Sequence, residues 1–163
     1  MDANLCRQHV ERLLSEEIGL MVKLQTLLDR EFMFINSNDV ESLEEAGEFR
    51  QACTGDLVRV EDERRSLCRM AGKGADLAGL DQLMKWCDPK GTLQSRWTDC
   101  AAHATRCREL NDRNGLVVSA RLQQVSGMLN LITGRNNAPA TYGPAKGAYG
   151  AAPATGRMFR SEA

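Results

Sequence analysis

From Leu93 to Ile132 every step along one seam is four or three residues: Leu93, Trp97, Cys100, Ala104, Cys107, Asn111, Asn114, Val118, Arg121, Val125, Met128 and Ile132. Spacing sustained at 3.5 residues over such a length is a coiled-coil signature, and only a long helix can keep those side chains on one side. Two earlier stretches have the same property. Leu14, Ile18, Met21, Gln25, Leu28, Phe32 and Ile35 step by four and three beside a second stripe of Val10, Leu13, Leu20, Leu24, Leu27 and Phe34. Two adjacent stripes make an apolar face wide enough to touch two neighbours. Leu43, Ala46, Arg50, Cys53, Leu57, Val60, Arg64, Leu67 and Ala71 continue the pattern. No segment alternates like a strand, so the fold class expected is all-α, a bundle of long antiparallel helices packed like a coiled coil.

The boundaries are legible. The first helix is expected over about 3–35 and ends at "NSND". The second starts there, with Asn38 and Glu41 in the form of a capping box and Asp39, Glu41, Glu44 and Glu45 at the positive end of the dipole. "GKG" at 72–74 ends it. A short third helix covers 76–87, stopped by Pro89, and the fourth runs over about 92–133. The two long N-terminal helices, joined by a short loop, predict an antiparallel hairpin. Beyond Gly134 periodicity disappears, and three of the four prolines lie in this Ala/Gly/Pro-rich stretch. The expected organisation is a helical domain at 1–133 and a flexible tail at 134–163.

Aromatic residues make up only 5% of the chain, so Leu, Met, Val and Ala must supply the core. The net charge of −1 divides into +3 for the tail and −4 for the remainder. A mildly acidic body with a basic tail fits protein partners better than nucleic acid. The N-terminus lacks an uncharged apolar run, and no run of about 18 apolar residues occurs, so neither a signal peptide nor membrane insertion is expected and a cytoplasmic location is. Six cysteines without a C-x-x-C are expected to stay reduced and act as small hydrophobes.

Little here could carry catalysis. Cys100, His103 and Cys107 share a helical face, and with Cys87 could hold zinc, but structural zinc sites usually draw ligand pairs from turns. A packed face with His103 at its rim is the simpler reading. Cys6 and His9 sit in a terminal helical turn that offers no pocket for a catalytic pair. "VEDERR" at 60–65 reads as a solvated face of ion pairs. There is no P-loop, dinucleotide fingerprint or nucleophile elbow. No enzyme activity, cofactor or metal is expected.

The seam of the fourth helix is more informative. Asn111 and Asn114 place two amides where apolar residues belong, a device that fixes register. Gly115 follows, costing about 1 kcal/mol against Ala within a helix. A weakened polar zone followed by the apolar stretch 116–132 resembles a hinge or handover point. If the three long helices match in length only through Asn114, that stretch extends past them as a protein-binding stripe.

Trp97 to Val125, "WTDCAAHATRCRELNDRNGLVVSARLQQV", resembles the signature region of FlgN-type flagellar export chaperones. In that family a Trp opens a long helix, followed by an "LNxxNGxLI" element, an Arg, an apolar amphipathic end and "YG" in a loose tail. Here the stretch from Leu110 to Val117 reads LNDRNGLV, and the tail reads Tyr142-Gly143-Pro144. The resemblance implies a cytoplasmic, non-enzymatic chaperone of type III export. It would bind the C-terminal helical segments of the hook–filament junction proteins (FlgK and FlgL type), prevent their premature assembly and deliver them to the cytoplasmic domain of the gate protein FlhA. Carried over by position, client binding falls to Leu116, Val117, Leu122, Val125, Met128, Leu129 and Ile132. Gate docking falls to Tyr142, with Tyr149 as a second copy. The extension past Gly150 matches nothing in the pattern. The alternative is a coiled-coil scaffold or dimerisation module without a client.

Overall fold

A computed structural model describes residues 2–134. The fold is all-α: α1 (Ala3–Ser37), α2 (Val40–Met70), α3 (Leu77–Cys87) and α4 (Gln94–Thr133). Two compact units divide the chain at Leu122–Gln123, within α4, and the first holds the whole bundle core.

The α1–α2 hairpin forms as expected, with its capping shifted by one residue. Asn38 is the left-handed residue that closes α1, at φ 57°. Its N–H donates to the Ile35 carbonyl, and that of Asp39 donates to Phe34, a Schellman arrangement. Asp39 rather than Asn38 is the N-cap of α2, accepting from the Ser42 N–H at 3.1 Å. Bonds from the Ser42 side chain and backbone hold the Asp39 carboxyl below its ordinary range. The Asn-Asp pair thus splits two tasks: Asn tolerates the αL conformation, and Asp supplies the capping oxygen.

Gly72 ends α2 at φ 68°, with Lys73 N–H reaching back to the Cys68 carbonyl. Gly79 serves another purpose. A Cβ there would lie 1.9 Å from the Gly74 carbonyl oxygen, so only glycine lets the incoming loop cross the first turn of α3. Asp76 caps that turn through the Gly79 N–H at 2.8 Å. Buried Asp88 then accepts from the Thr92 hydroxyl and Leu93 N–H and sets the start of α4.

Ion pairs fix the hairpin register. Glu31 meets Arg50, Glu17 meets Arg64, Glu16 meets Arg59 and Arg12 meets Glu63, all centred on the Asn38 turn. Arg50 and Arg64 stood as polar residues on the apolar seam of α2; each serves a carboxylate on α1. Contacts between α1 and α4 rise together in number: Ser15 with Arg96, Gln25 with His103, Leu28 with Asn114 and Asn36 with Arg121. So α4 runs parallel to α1 and antiparallel to α2.

The main core fills the end where all four helices meet. It joins Cys6, Val10, Leu13 and Leu14 of α1, Val60, Leu67 and Cys68 of α2, Leu80, Leu83 and Cys87 of α3, and Cys100 of α4. Toward the hairpin the core thins to Leu28, Cys107 and Leu110, with Met21 and Leu24 beside them. All six cysteines are free and buried. Burial pushes Cys6 up to about 12, with neighbouring Cys87 adding to it, and pushes Cys100 up to about 12, with Glu17 adding to it. The other four are also raised, burial being the leading cause.

The folded state therefore keeps protons that the unfolded chain releases above the ordinary thiol value of 9.0. The stability contributed by these neutral thiols is complete below pH 9 and is lost as pH climbs toward about 12. Urea midpoints measured across that range are expected to fall, and to fall less steeply in a Cys6→Ala/Cys100→Ala chain. An equal slope in both would remove the thiols as the cause.

Candidate functional site

The seam of α4 departs from the strict four-three count at its middle. After Cys107 the buried positions are Leu110 and Asn114, while Asn111 is exposed. At about 100° per residue, steps of three and four from Cys107 fall on opposite sides of the buried face, and packing against Leu28 selects Leu110. Of the two amides expected in the seam, one is there. The Asn114 side-chain amide donates to the Leu28 carbonyl at 2.8 Å, and its oxygen accepts from Arg113. Arg113 also bonds Asp29 and lies over the Phe32 ring, 4.0 Å from its centre. Arg121 then reaches the Asn36 carbonyl and the Asn38 side chain where α1 ends. These contacts set the axial register of α4 on α1, because each donor must meet one particular oxygen. The helix continues through Gly115 without a break.

Past Arg121 the apolar side chains are open to solvent. Leu122, Val125, Met128, Leu129 and Ile132 are between 52% and 81% exposed, and Leu116 is 74% exposed. Val117 is partly buried. At about 100° per residue, Val117, Leu122, Val125, Met128, Leu129 and Ile132 share an arc of about 140°. This arc continues the face that carries Cys107, Leu110 and Asn114 in the bundle. Val118, 40% exposed, falls within the same arc. Leu116 falls about 100° outside it, so the helical register separates Leu116 from the other positions that the resemblance named. Exposing this much aliphatic surface on one face of a helix is unfavourable in water.

The other sites weighed in the sequence lie elsewhere. His103 sits at the rim, its Nδ1 2.9 Å from the Gln25 amide, and the Cys107 thiol donates to the Met21 carbonyl. Cys100 belongs to the main core. Among the described residues no group of His, Cys, Asp or Glu is arranged to hold a metal ion. Cys6 is fully buried while His9 is exposed, so the two do not form a site. Tyr142 and Tyr149 lie outside the described residues. A cavity of about 570 Å³ lies against Trp97, Leu77 and Leu80, with the Arg64 guanidinium 5.8 Å from the centre of the Trp97 ring. Sequence periodicity did not point to it, because it arises where α3 crosses the long helices.

A family model described as FlgN protein matches residues 6–150, most of the chain. The chain belongs to the FlgN family. FlgN proteins are flagellar export chaperones, not a family of enzymes, and they bind hook-associated proteins. No curated protein and no solved structure matches this chain. The match takes in the whole FlgN-like element from Leu110 to Val117 and both tail tyrosines, and ends before the extension from Ala151. No helix among the described residues is long and apolar enough to cross a membrane.

Proposed function

We propose that this FlgN protein works in the cytoplasm and holds the C-terminal helical segments of hook–filament junction proteins of the FlgK and FlgL type on the distal face of α4. The observation that carries the reading is the exposed stripe of Val125, Met128, Leu129 and Ile132, in register with the face that α4 buries up to Asn114. A junction subunit polymerises through apolar helical termini, so a chaperone must offer substitute apolar surface to keep it soluble. Val117, Val118 and Leu122 extend the stripe toward the bundle, and Leu116 lies at its border. Loaded chaperone then delivers its client to the cytoplasmic domain of FlhA, with Tyr142 as the docking aromatic and Tyr149 as a second copy. Tyrosine suits that role because it joins a large apolar ring to a polar tip. Residues 134–163 act in this scheme as a tail separate from the bundle at 1–133.

The same stripe also favours a second reading, a coiled-coil scaffold in which two copies pair through α4 without a client. Calorimetry with the C-terminal segment of a junction protein separates the two. The full chain is expected to bind saturably, and a chain ending at Leu122, which retains the bundle core, is expected to lose most of that affinity. A folded full chain that binds no segment but sediments as a dimer through 123–134 would favour the scaffold.

A further inference from the structure

The tip of the α1–α2 hairpin carries an apolar cleft lined by α1 and α2 alone. Leu27, Met33 and Phe34 of α1 face Ala46 and Phe49 of α2 across a cavity of about 360 Å³. Met33 is 65% exposed, Phe49 52% and Val40, at the start of α2, 63%. Large side chains this open, gathered at one end of a hairpin, form a patch rather than scattered surface residues.

The charge beside the cleft is equally uneven. Of the eleven glutamates among the described residues, seven are ion-paired: Glu11, Glu16, Glu17, Glu31, Glu61, Glu63 and Glu109. The remaining four, Glu41, Glu44, Glu45 and Glu48, are consecutive in the sequence of glutamates, and Glu45 itself lines the cleft. Attraction to the helix N-terminus accounts for Glu41 in the first turn, but that effect fades within a turn and leaves Glu45 and Glu48 unexplained. Arg30 is the only basic residue lining the cleft.

We propose that this cleft docks a basic amphipathic helix of a partner protein, whose apolar side chains enter between Met33, Phe34 and Phe49 and whose lysines or arginines meet the four glutamates. A groove between two antiparallel helices suits a third helix laid along it. The charge selects the partner class. Anionic lipid and nucleic acid are both repelled by four uncompensated carboxylates, whereas a basic protein segment is attracted and oriented by them. No residue of α4 lines the cleft, so the proposed site is built from α1 and α2 alone.

The test uses the full chain and a synthetic peptide of about four helical turns, built from leucine, alanine and lysine at amphipathic spacing. A control peptide carries glutamate in place of lysine. Calorimetry is expected to show saturable one-to-one binding of the lysine peptide, weakening as salt rises from about 50 to about 300 mM. The E41Q/E44Q/E45Q/E48Q chain is expected to bind about tenfold more weakly, as loss of several exposed charge pairs predicts. Phe49→Ser is expected to weaken binding at every salt concentration, and Val125→Asp/Leu129→Asp to leave it unchanged. All these positions are exposed, so matched thermal melts should confirm the fold. Equal binding by the glutamine chain, equal binding of the glutamate peptide, loss of binding in the α4 variant, or no binding at all would each overturn the proposal. So would a wild-type dimer that Phe49→Ser dissociates, which would give the face to a second copy, or uptake of the chain by anionic vesicles.

Discussion

A chain carrying Val125→Asp and Leu129→Asp is expected to bind the C-terminal helical segment of a hook-associated protein at least about 100-fold more weakly, with its melting curve unchanged. The two side chains are one helical turn apart on the α4 stripe and both are 54% exposed, so folding does not depend on them. Fully burying a valine or leucine against a partner contributes about 1.5–3 kcal/mol, and an unpaired carboxylate in its place adds a desolvation cost. At about 1.4 kcal/mol per tenfold, two such losses reach 100-fold even when each side chain is only half covered. Leu116→Asp supplies the control. Leu116 is more exposed than either, but helical register sets it about 100° off the stripe, so affinity should change only a few-fold. Equal losses in both chains would mean that the client wraps around α4. Unchanged affinity in the double variant would remove the stripe as the client site.

The second large effect concerns the register of α4 in the bundle. Leu110→Ala is expected to destabilise the protein by about 2–5 kcal/mol, and Asn111→Ala to change stability by no more than about 0.5 kcal/mol. Leu110 is 1% exposed and packs with Leu28 and Cys107, so its truncation leaves a cavity; Asn111 is exposed. Denaturant unfolding of the two single variants measures the difference directly. A larger loss for Asn111→Ala would mean that the four-three count holds through the middle of α4, and that Asn111 is the buried amide. The Asn114 contact makes that register exact, because the amide donor must find the Leu28 carbonyl.

Much of this protein is written in its sequence. Apolar periodicity determined four helices and their approximate ends, because burying one side of a long helix demands a repeat that no other structure can use. Gly72 and Pro89 marked their stops, since each constrains the backbone locally whatever surrounds it. The family was legible from the Leu110–Val117 element. What lay beyond reach was everything fixed by a partner distant in the chain. The capping of α2 passed from Asn38 to Asp39 because the turn between two packed helices decides which residue adopts αL. Asn111 left the seam and Leu110 entered it because spacing allows either, and Leu28 of α1 packs against Leu110. Arg50 and Arg64 looked like faults in an apolar stripe until Glu31 and Glu17 were seen opposite them. The open cleft at the hairpin tip had no linear signature either. Its side chains come from two helices, and the four glutamates beside it stand out only once the others are found in ion pairs. Local spacing sets which residues face inward; only the packed neighbours decide what those residues meet.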